Sequence, residues 1–205
     1  MNNIIFLDIE NTIIDDLVNC NFIEENCRKI AFLIKCMRPV AVHFFTWGWK
    51  TKDEVDINIV NSMLVKLGLD PMNLGFDCRV FTKDFGVKMA ISSGWLNEED
   101  FDRAIESGMM AEFGISKVSC FTEMVASTVT NTHLEVNCAI ALCPLTYWLI
   151  DDLVEKSEEI TWHESRLKAT LMNPKDLLDP NLVHFHNLPL DPFLGMSYSM
   201  NYISH

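Results

Sequence analysis

The chain lacks any apolar run near the eighteen or so residues that cross a bilayer, so nothing in its 205 residues reads as a membrane-spanning helix. It also lacks a basic leader. Met1-Asn2-Asn3 carries no side-chain positive charge and Asp8 interrupts the first apolar run, which argues against a secretory signal. Cys-x-x-Cys is absent, and no pairing of Cys and His has zinc-ligand spacing. The seven cysteines are odd in number and several lie in apolar segments, so they read as reduced core thiols of a cytoplasmic protein. Gly and Pro are few, eight and seven, while 49% of residues are apolar, which excludes a disordered or low-complexity chain. Positive charge is scarce: 16 Lys and Arg face 29 Asp and Glu, a formal net charge of −13. Such a surface repels nucleic-acid backbones and anionic membranes. It does not exclude a small phosphorylated substrate, because a bound cation and a few local Lys or Arg can invert the field within a site. It also leaves room for a basic protein partner.

What is present begins at the N-terminus. Ile4-Ile5-Phe6-Leu7 runs without polar alternation into Asp8-Ile9-Glu10-Asn11-Thr12. An unbroken apolar run suits a strand buried on both faces. Residues two apart on a strand point the same way, so Asp8 and Glu10 can project together from its carboxyl end. Open α/β sheets bind ligands there. Tyr147-Trp148-Leu149-Ile150 repeats the pattern and ends in Asp151-Asp152. If the two strands are parallel neighbours, up to four acids converge on one crevice. Carboxylates so placed repel one another unless they share a proton or a cation. An all-oxygen set suits Mg²⁺. The plainer reading makes each acidic pair a turn or cap after a buried strand.

This order of motifs resembles the haloacid dehalogenase-like superfamily of phosphohydrolases. Asp8-x-Glu10-x-Thr12 matches its first motif, Asp-x-Asp-x-Thr. Val40 to Thr46 fits the second, a strand ending in Ser or Thr. Lys117 is the best placed candidate for the third, a Lys at a helix start, with Lys83 and Lys88 as substitutes. Asp151-Asp152 matches the fourth. The resemblance implies a Rossmann-like three-layer α/β/α fold with a central parallel sheet. It also implies Mg²⁺-dependent hydrolysis of a small phosphomonoester through an aspartyl-phosphate. Asp8 is then the nucleophile and Glu10 the general acid/base, with Thr46 and Lys117 on the phosphoryl oxygens. Mg²⁺ is held by Asp8, the Glu10 backbone carbonyl and Asp151, with Asp152 as a ligand or behind the ligands. Glu10 stands where the family has Asp. Its extra methylene moves the carboxyl by about 1 Å, a displacement that can cost on the order of 10²-fold in rate. A catalytically weak member that acts by binding a partner is the alternative reading.

The remaining segments are read by period and punctuation. The chain is taken as a single domain over residues 1–205, with 83–116 as a small helical cap insertion. Helices are expected over 23–37, over 53–67 with Asp53 near the cap, and over 118–129. Strands are expected at 4–8, 40–46, 76–82, 145–150, 167–174 and 182–185. Residues 9–22 read as a turn and acidic loop, and 155–159 as a solvated helix start or loop. Trp47-Gly48-Trp49 is either loop packing or an aromatic wall able to stack a base, which favours a nucleoside monophosphate as substrate. His184 and His186 share a strand face as a sheet-edge pair.

Overall fold

Ile5 and Leu7 are buried on one side of the first strand and Phe6 on the other, which is why the run carries no polar residue. In a computed structural model that describes residues 2–70, 78–106, 114–135, 145–162 and 167–181, six strands form one sheet. They are β1 (Asn2–Leu7), β2 (Ala41–Phe45), β3 (Val80–Phe81), β4 (Leu145–Ile150), β5 (Glu158–Trp162) and β6 (Leu167–Met172). Their order is β3-β2-β1-β4-β6-β5. All neighbours are parallel except β5, which runs antiparallel to β6. The sheet is therefore mixed rather than wholly parallel.

The described helices cover both faces. Helices α1 (Glu24–Met37) and α2 (Ile57–Lys66) bury Ile30, Leu33, Val60 and Met63 against Ile5, Leu7 and Trp148. On the other face lie α3 (Lys83–Ser92), α4 (Phe101–Glu106) and α5 (Lys117–Glu135). They bury Val87, Ala90, Ala104, Ile105 and Phe121 against Phe6, Phe45 and Leu149. The stretch expected as a cap insertion thus contributes apolar side chains to this layer, and residues 107–113 lie outside the described set. No described helix is long and apolar enough to cross a membrane.

Several boundaries differ from the sequence reading. Helix α2 starts at Ile57, capped by Asp56, whose carboxylate accepts the Asn58 N–H at 2.8 Å. Lys52–Glu54 is a separate 3₁₀ turn, and Ile57 at the start of α2 is exposed. Helix α5 begins one residue early, at Lys117. The run expected as a solvated helix start or loop becomes β5 from Glu158 on. Ile160 and Trp162 alternate inward against the core, and Glu159 pairs with Lys168 on β6 at 2.8 Å. The expected strand at 182–185, with His184 and His186, lies outside the described residues, as does 76–77 of the third strand.

Candidate functional site

The chain passes outward from β1 to β2 and β3, then returns to the other side of β1 as β4. This reversal makes a switch point between β1 and β4, the crevice where such sheets bind ligands. Leu7 is in register with Ile150, so Asp8 and Asp151 leave neighbouring strands at the same level. Backbone bonds hold both acids to the sheet: Asp8 N–H donates to Ile150 O at 2.9 Å and Asp151 N–H to Met172 O at 3.1 Å. Oxygens of Asp8, Asp151 and Asp152 all lie within 4.8 Å of one another.

Lys117 enters from the other helical layer. Gly114 adopts a left-handed φ of 69° just before α5. Ser116 Oγ then accepts the Ser119 N–H at 3.0 Å, capping the helix. That places Lys117 in the first turn with its side chain 5% exposed. Its Nζ lies 2.5 Å from Asp8 Oδ1 and 3.0 Å from Asp151 Oδ2. The two substitutes are engaged elsewhere. Lys83 Nζ donates to Ile105 O at 2.8 Å, and Lys88 pairs with Asp84 at 2.7 Å.

Thr12 ties the two strand ends together. Its hydroxyl donates to Asp8 Oδ2 over a long 3.5 Å and accepts the Asp152 N–H at 3.2 Å. Asn173 supports the same loop from behind, its Nδ2 donating to Asp152 O and Val154 O, each at 2.9 Å. Neither residue was given a role in the sequence reading. Thr12 carried a signal in its spacing of four from Asp8, whereas Asn173, before Pro174, read only as a strand stop.

The electrostatics follow from burial. Asp8 is pushed up to about 7, first by loss of solvent and then by the Asp151 charge, against the opposing pull of Lys117. Asp152 is raised for the same two reasons. Burial disfavours the Lys117 ammonium, but Asp8 and Asp151 outweigh it and hold the group protonated. Fully ionised, three carboxylates against one ammonium leave two negative charges without a partner among these four groups. Asp151 Oδ2 is fully buried, and the Lys117 ammonium at 3.0 Å is its partner. A buried oxygen cluster with surplus negative charge can hold a metal ion of the hard, oxygen-preferring kind.

Glu10 and Thr46 stand beside this cluster. The Glu10 carboxylate is not one of the three converging acids. It packs against Gly48, while its backbone bridges to Ile14. Thr46 is fully buried at the end of β2, and its Oγ accepts the Gly48 N–H at 3.1 Å. Trp49 does not form a wall beside the site: it is buried in the α1/α2 core. Trp47 is partly exposed and lies along Gly86 of α3.

No family model, curated protein or solved structure matches this chain. The chemistry of the site therefore rests on its own residues. A buried carboxylate beside a lysine, two further acids and a bridging hydroxyl at a sheet switch point can bind a cation with an anionic ligand. It can also offer a carboxylate oxygen as nucleophile.

Proposed function

We propose that the chain is a haloacid dehalogenase-like, Mg²⁺-dependent phosphatase acting on a small phosphomonoester. The observation that carries this reading is the convergence of Asp8, Asp151, Asp152 and Lys117 at the ends of β1 and β4. An Asp8 oxygen attacks phosphorus as the bond to the leaving oxygen breaks, and Glu10 gives that oxygen a proton. Glu10 then takes a proton from the water that releases phosphate from Asp8. Lys117 and Thr46 bind phosphoryl oxygens. Asp8, Asp151, Asp152 and the Glu10 carbonyl are the candidate holders of Mg²⁺, which when bound neutralises charge developing on the phosphoryl group. The acidic surface puts the work of attracting a phosphate on these few groups.

The substrate class is a small phosphomonoester. Nucleoside monophosphates come first because the partly exposed Trp47 adjoins Thr46. The test is phosphate release from a panel of phosphomonoesters, with and without Mg²⁺. Turnover that needs the metal and falls on the order of 10³-fold or more in Asp8→Asn is expected. Metal-dependent turnover that survives Asp8→Asn removes Asp8 as nucleophile. No turnover from folded protein leaves the binding role, tested next by pull-down of basic partners.

A further inference from the structure

Nothing in the backbone requires glycine at position 48. The residue is exposed, and it is not among the glycines with positive φ. At such a position Gly→Ala ordinarily stabilises a protein by narrowing its unfolded ensemble. A side chain can enter here only by displacing the ends of two others. A Cβ on Gly48 would fall inside contact distance of Glu10 Oε2, 2.8 Å from Glu10 Cδ and 2.6 Å from Leu17 Cδ1. The volume of the missing side chain is occupied by the Glu10 carboxylate, with Leu17 beside it. The peptide beneath is fixed: Gly48 N–H donates to Thr46 Oγ at 3.1 Å, and Thr46 N–H to Phe81 O at 2.9 Å. Glu10 is held in turn by its bridge to Ile14.

We propose that Gly48 is a positioning residue for Glu10, its bare Cα being the seat of a carboxylate one methylene longer than Asp. Positions 10 and 48 are then coupled, and a side chain at 48 moves the carboxylate out of place. The effect on turnover rests on the reading of Glu10 as acid/base, whereas the seat itself is steric.

A double-mutant cycle tests it, with Gly48→Ala, Glu10→Asp, both together, and Gly48→Ala with Leu17→Ala. Two readouts are taken: thermal melting, and kcat and KM for an aryl phosphate with Mg²⁺. Gly48→Ala is expected to lower Tm when Glu10 is intact, and the part of that loss due to Glu10 is expected to vanish when Glu10→Asp is also present, the contact with Leu17 remaining. It should also lower kcat about 10- to 10²-fold with KM little changed, and Glu10→Asp should restore part of the lost rate. An equal Tm loss with and without Glu10→Asp, relief by Leu17→Ala alone, or an unchanged kcat in Gly48→Ala overturns the proposal. If Gly48→Ala does not fold, recovery of folding by Glu10→Asp supports the seat, and failure of the pair refutes it. If the unaltered protein releases no phosphate, the phosphatase reading falls while the melting cycle still decides the seat.

Discussion

Lys117 carries a positive charge in the first turn of α5, where the helix dipole disfavours it, and faces two buried carboxylates. A residue so placed against local preference points to function rather than stability. Lys117→Met removes the cation from three carboxylates. Losing one partner of a buried ionic group costs about 3–5 kcal/mol, or on the order of 10 °C in Tm for a chain of this size. Melting with and without Mg²⁺ checks this, and the added metal is expected to recover part of the loss. Asp8 gives a pH signature of definite sign. Its folded pKa is raised from 3.8 to about 7, so between those values the native state holds a proton that the unfolded state has released. Stability from this group is therefore present at low pH and lost as pH rises toward 7. In chelator, Asp8→Asn should gain on the unaltered protein as pH rises from about 4 to 7 and stay level above that. Melting curves across that range decide it, and a difference that does not change with pH refutes the shift. Asp8 and Asp151 stood out in the sequence because the same pattern, an apolar strand ending in paired acids, occurs twice, whereas either stretch alone reads equally well as a turn or cap. Gly48 did not, because its contact with Glu10 follows no period along the chain.

At the scale of elements, the strands that hold the site were readable and those that frame it less so. Strands β1 and β4 are apolar runs ending in acids, β2 and β6 have clear stops at Thr46 and Asn173-Pro174, and only the pairing of β1 with β4 could be anticipated from where the acids would meet. Strand β5 was hidden because Glu158 and Glu159 mask the alternation of Ile160 and Trp162, a period too short to stand out beside charge. The start of α2 was misplaced because Asp53, Glu54 and Asp56 all resemble caps, and only the Asp56 side chain accepts the bond. Asn173, at the end of β6, holds the Asp152 loop through two bonds from one buried amide. Asn173→Ala leaves two carbonyls without those donors, at a cost of about 1–3 kcal/mol. Calorimetry should find that loss together with weaker divalent binding. An unchanged metal affinity would separate Asn173 from the site.

At the scale of the whole molecule, the site draws on both sides of the switch point and on the helical layer that carries Lys117, so occupying it should stabilise the fold as a unit. A divalent cation at a hundred times its Kd adds about 2.7 kcal/mol to the folded state, several degrees in Tm. A Mg²⁺ titration followed by melting is expected to give that rise, and Asp151→Asn to abolish it. Equal rises in both proteins would place the ion elsewhere on the acidic surface.

The pairing of β1 with β4 also sets a timetable. Leu7 meets Ile150, a residue synthesised far later. At ribosomal rates of about 5–20 residues per second, roughly 7–30 s separate the two. One edge of β1 can pair with β2 early, while the other, bearing Asp8, waits for its neighbour. A nascent chain arrested before β4 emerges therefore presents an open apolar edge and half a site, a natural point for chaperone capture.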